Sequence, residues 1–182
     1  TQLPWLLPSP NLSRTESAIT FPATVLFEGT CLSEGRGTSQ PLEIIGHPKI
    51  EPFSFYADYM EQAVKKTKLG GFVLRPIMFL PTFHKHVDKV CGGFQIHVTN
   101  RRIFQPWRVG QFMMRELYQH LENDFQWLKP PYEYNSHQLP IDIINGTDNL
   151  RHWVEANGSI ETLDDFEKFD EYKEQVNSIK LY

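Results

Sequence analysis

A chain of 182 residues, 40% apolar and 13% aromatic, can bury a core of its own, which excludes the disordered and low-complexity classes. Eighteen basic residues against 22 acidic ones leave a net charge of -4 without any basic run, so nucleic acid is not an expected partner. No apolar stretch approaches the roughly 20 residues of a membrane-spanning helix, and the opening lacks the charged start of a signal peptide; it reads as the interior of a longer protein.

Pro4, Pro8 and Pro10 mark an extended entry segment. Residues 23–27, β-branched and aromatic, predict a short strand that leads directly into Glu28-Gly-Thr-Cys-Leu-Ser-Glu-Gly-Arg-Gly-Thr38. That loop gathers Gly29, Gly35 and Gly37 with Glu28, Glu34, Arg36, Ser33 and Thr38. Glycines allow positive φ and close backbone approach, while the other side chains supply charged and neutral hydrogen bonds suited to a sugar or a carboxylate. The competing reading is a surface turn in which Arg36 and Glu28 pair with each other.

Residues 54–66 place Phe55, Tyr59, Met60 and Val64 at helical spacing and stop at Gly70-Gly71. The nearly continuous apolar run 72–80 predicts a central strand covered on both faces, with Arg75 needing a carboxylate such as Glu28. In 93–100, Phe94, Ile96 and Val98 alternate with Gln95, His97 and Thr99, so one strand face is core and the other offers groups for a hydroxylated ligand. Val109, Phe112, Met113, Leu117 and Leu121 predict an amphipathic helix from Pro106 toward Asp124. A short helix with Leu150, Trp153 and Val154, capped by Thr147 or Asp148 and closed by Gly158, comes next. Thr162 to Asp165 resembles a capping box for a last helix with Phe166, Phe169 and Val176 inward. These elements add up to an α+β fold in one domain over residues 1–182: a small, largely antiparallel or mixed sheet with helices concentrated in the C-terminal half.

His84, His86, Cys91 and His97 lack the ligand spacing of a zinc site, and the glycines match neither a phosphate loop nor a dinucleotide fingerprint, so neither metal nor cofactor is expected. Cys31 and Cys91 define no disulfide framework, though one bridge stays open. Glu28 and Glu34 are the carboxylate pair that glycoside hydrolysis would call on, at a separation that sequence does not fix. Trp5, Trp107 and Trp127 are candidate stacking platforms for a sugar.

A resemblance rests on Pro8-Ser-Pro-Asn11, Phe27-Glu-Gly-Thr30, Ser33-Glu-Gly-Arg-Gly-Thr38, Pro41-Leu-Glu43 with Ile45-Gly-His-Pro48, Phe79-Leu-Pro-Thr82, Cys91-Gly-Gly-Phe-Gln-Ile-His-Val98 and Lys180-Leu-Tyr182. In this order they resemble the C-terminal half of the bacterial exo-β-N-acetylmuramidase family, long catalogued as a domain of unknown function. The resemblance implies a peptidoglycan-processing glycoside hydrolase that releases N-acetylmuramic acid from non-reducing ends and is exported or periplasmic. It also implies a Rossmann-like N-terminal domain, absent from these residues, that carries the principal catalytic acid. This chain would then form one wall of an interdomain cleft, with Glu28, Arg36, Gly37, Thr38, Gln95 and His97 as substrate-binding candidates and Glu28 and His97 as catalytic ones. Arg36 suits the lactyl carboxylate of muramic acid, since a guanidinium offers a planar pair of donors. Cys31 and Asn100 stand where the family commonly has Asn and Asp. The alternative is a non-catalytic carbohydrate-binding or interaction module.

Overall fold

The computed structural model describes residues 4–166 and 169–179, and of these the side chains of all but 164–166, 169–171 and 173. It is α+β. The first helix, α1 (Thr15–Thr24), runs on into a 3-10 segment, Val25–Gly29. The expected strand at 23–27 is therefore helical. Ala23, Leu26 and Phe27 are fully buried, and the hydroxyls of Thr20 and Thr24 both donate to the Leu42 carbonyl, at 2.7 and 2.9 Å. Tertiary burial and these paired bonds outweigh the β preference of the local residues.

Three strands follow: β1 (Ile44–His47), β2 (Phe72–Phe79) and β3 (Cys91–Val98), all antiparallel in the order β1-β3-β2. β1 has no counterpart in the sequence reading. β3 is central, with Ile44 opposite Gln95 and Arg75 opposite Gln95 on its other side. The expectation for 72–80 is thus corrected: β2 is an edge strand whose Phe72 and Leu74 face the core while Val73, Arg75 and Met78 are exposed. An edge strand also tolerates Pro76, which has no N–H to give a ladder. Arg75, in solvent, needs no buried partner, and the Glu28 carboxylate accepts from Arg36 and Tyr132 instead.

Between β1 and β2 lie α2 (Pro52–Phe55), a π-helical turn Tyr56–Met60 and α3 (Glu61–Lys66), which together are the helix expected at 54–66. Glu51 caps it, accepting from the Ser54 N–H at 2.7 Å. The amphipathic helix expected after Pro106 is α4 (Pro106–Leu121), whose Val109, Phe112, Met113, Leu117 and Leu121 are buried as the spacing requires. α1 crosses α4 at Gly110, where a Cβ would come 2.4 Å from the Ala23 carbonyl oxygen. α5 (Pro140–Asn145) and α6 (Asn149–Glu155) close the core around Ile141, Leu150, Trp153 and Val154.

At the end of α6 the left-handed residue is Asn157, φ 51°, and not Gly158. Gly158 follows it, donates to the Trp153 carbonyl at 2.8 Å and leaves the space that the Trp153 ring fills. Thr162 lies inside a 3-10 segment, Ile160–Phe166, and accepts from the Trp153 indole N–H at 3.2 Å. The last helix, α7 (Phe169–Ile179), starts later than the expected capping box. Val176 is half-buried, whereas the side chains of Phe166 and Phe169 and the closing Lys180-Leu-Tyr182 lie outside the described residues. Among the described residues no helix is long and apolar enough to cross a membrane.

Candidate functional site

The glycine-rich loop leaves the 3-10 segment at Gly29 and is stitched down from two sides. One stitch is the segment around Trp127: Cys31 donates its N–H to Gln126 at 2.9 Å, and Leu128 donates to Gly29 at 2.9 Å. Gly29 also lets α5 close on the start of the loop, since a Cβ there would lie 2.6 Å from the Ile141 nitrogen. The other stitch is the loop after β2, where Thr82 donates both its N–H, at 3.0 Å, and its hydroxyl, at 2.9 Å, to the Gly37 carbonyl. Gly37 has φ +82°, and a Cβ would sit 2.7 Å from the Phe83 nitrogen, so only glycine fits. Thr38 turns back, its hydroxyl donating to the Gly35 carbonyl at 2.7 Å.

The stitching brings four charged side chains together. Arg36 donates through Nη2 to Glu28 and through Nε to Glu34, the latter at 2.8 Å. Lys85 reaches under the loop and donates to the carbonyls of Phe27 and Leu32, at 2.8 and 3.0 Å, and to the Glu34 carboxylate at 2.9 Å. Glu34 has no exposed surface. Burial alone would raise its pKa, but the His84 hydrogen bond and the Lys85 charge prevail and hold it at about 2. Burial in turn pulls the Lys85 ammonium below its usual range, with Glu34 opposing. Glu34 is thus a fixed counter-charge, and of the two carboxylates only Glu28 lines the adjoining cleft.

Glu28 and Arg36 line a cleft of about 340 Å³ with Phe83, His84, Lys85 and Tyr132. Tyr132 donates its hydroxyl to Glu28 at 3.1 Å; burial first and then the Glu28 charge push its pKa up to about 12, so it is a neutral donor at physiological pH. Arg36 keeps its Nη1 donors in addition to the bonds it makes to the two carboxylates. Lys85 and Tyr132 have no signature in the sequence that ties them to this loop.

Gln95 and His97 line a different hollow, of about 210 Å³, with Arg14, Glu43 and Arg101. The buried Glu43 accepts there from Ser17 at 2.9 Å and from Gln95 at 3.4 Å, and Arg14 lies 3.4 Å away. His97 is exposed. The sequence candidates therefore form two groups, Glu28 with Arg36 over a scaffold of Gly37 and Thr38, and Gln95 with His97. Trp107 and Trp127 pack against the core, and Trp5 is half exposed. Cys31 and Cys91 are both free, and among the described residues no cluster of His, Cys, Asp and Glu is placed to hold a metal.

The model of the exo-β-N-acetylmuramidase NamZ C-terminal family matches residues 19–182. The chain is 34% identical over 163 residues to the peptidoglycan β-N-acetylmuramidase NamZ of Bacillus subtilis, covering 90% of this chain and 36% of that protein. Two crystal structures of DUF1343 family proteins from Bacteroides fragilis share its fold. One has a TM-score of 0.77 at 16% identity and the other 0.61 at 21%, and the chain covers 46% and 43% of them. It thus spans less than half the length of each of these proteins.

Proposed function

The chain belongs to the C-terminal family of exo-β-N-acetylmuramidase NamZ, and from that premise we propose that it is the C-terminal domain of a peptidoglycan muramidase that removes N-acetylmuramic acid from non-reducing ends. Residues 1–182 form one wall of the substrate cleft, and the principal catalytic acid comes from a domain that precedes them. The observation that carries this reading is the Glu28–Arg36 cleft. The groups that line it are a carboxylate, a guanidinium and a neutral phenol, all partly buried, a set that matches hydroxyls and one carboxylate on a sugar. The buried Glu34 holds the Arg36 Nε in place while Lys85 offsets the Glu34 charge from below, so the guanidinium is presented in a fixed orientation.

In this reading the Nη1 donors of Arg36 meet the lactyl carboxylate, and Glu28 accepts from a ring hydroxyl. Gln95 and His97, in their own hollow, are left with a supporting role. In a polypeptide carrying both halves, Arg36→Ala raises KM about tenfold for a muramic acid glycoside and leaves a glucosamine analogue within about twofold. Equal effects on both substrates would overturn the assignment. His97→Gln leaves the pH profile of turnover unchanged if this separation of sites holds.

A further inference from the structure

Away from the Glu28 cleft, two hollows of about 340 and 350 Å³ share Tyr59 and Glu116 as lining residues. Neither has a lining residue in common with that cleft. Asp58, Gln62 and Lys66 line the first, and Phe55, Gln119 and His120 the second. The rings are stacked: Phe55 lies 3.6 Å from His120, with 14° between planes, and 5.8 Å from Tyr59, with 5°. Tyr59 nevertheless stays 49% exposed.

That ring is held in place. Its hydroxyl donates to Glu116 at 2.6 Å, and the buried Glu116 is paired with Arg115. Arg115 also donates to the Gly158 carbonyl at 2.6 Å and lies over the Trp153 ring at 5.2 Å. Tyr59 sits on the π-helical turn Tyr56–Met60, a departure from α geometry that is frequent at functional sites. An exposed, fixed aromatic ring beside amides and carboxylates suits a pyranose, which offers an apolar C–H face and a rim of hydroxyls. An apolar ligand would leave the polar rim unpaired. A phosphate would meet three carboxylates in the first hollow, Asp58, Glu116 and Glu161, against the two cations Lys66 and Arg115.

We infer that the groove centred on Tyr59 is a second saccharide-binding site, in which a glycan chain stacks on the Tyr59 ring and hydrogen-bonds to Gln62 and Gln119. The choice of peptidoglycan as the glycan rests on the function proposed above; the site itself does not. The test is an NMR titration of the 182-residue chain with a peptide-free tetrasaccharide of alternating N-acetylglucosamine and N-acetylmuramic acid. Shifts are expected at Tyr59, Gln62, Gln119 and His120. Tyr59→Ala weakens binding at least about tenfold, whereas Tyr59→Phe, which keeps the ring, stays within about threefold of the parent. Should Tyr59→Ala fail to fold, Gln119→Ala is expected to show a loss of the same sign. Unchanged affinity in the folded alanine variant would overturn the inference. Shifts confined to Glu28, Arg36 and Tyr132 would overturn it and leave the cleft reading standing. No shift at either place with about 10 mM tetrasaccharide would overturn both.

Discussion

A carboxylate with no exposed surface stays ionised only when neighbouring charges repay its lost hydration. Glu34 is that case, with Arg36, His84 and Lys85 around it. Glu34→Gln strands the Lys85 ammonium, and a loss of about 3 kcal/mol in urea unfolding is expected. His47 carries the opposite sign of burden. Burial, with His86 edge-on at 4.7 Å, brings its pKa down to about 4. The unfolded chain then binds more protons than the native one between about pH 6.5 and 4, so this contribution is complete above that window and is lost as pH falls through it. Urea midpoints measured across the window show that decline, and His47→Gln makes it shallower. The Arg36–Glu28 pair was readable because eight residues of a tight loop separate them. Lys85 and Tyr132 were not, because they stand 51 and 104 positions along the chain from their carboxylates, and only the tertiary fold closes such distances.

At the level of elements, the contact between α1 and α4 depends on a missing side chain. Gly110→Ala forces a Cβ against the Ala23 backbone, and a loss of about 2 kcal/mol in thermal or urea unfolding is expected. An unchanged midpoint would mean that the two helices separate at little cost. Periodicity made α4 and the helix of residues 52–66 legible, since their apolar stripes are long. It failed at residues 23–27, where Pro22 and the threonines disguise a helix held by bonds to Leu42. It failed again for β2, because a run of apolar residues reads the same on an edge strand that leaves half of them in solvent as on a central one. β1, four residues long and interrupted by Gly46, was too short to register.

For the molecule as a whole, the decisive ratio is the 36% of the Bacillus subtilis relative that the chain covers. If the acid lies in the preceding domain, the 182-residue chain releases no nitrophenol from a nitrophenyl β-N-acetylmuramic acid glycoside, and supplying the other half gives turnover. Release by the chain alone would move the acid into it, with Glu28 the first residue to replace. The deep seat of Lys85 has a use of its own. With its amine bonded to two backbone carbonyls and a carboxylate, it should be the slowest lysine to acylate with an N-hydroxysuccinimide ester, so mass-spectrometric timing of its labelling would clock how often the floor of the cleft opens, without any substrate in the tube.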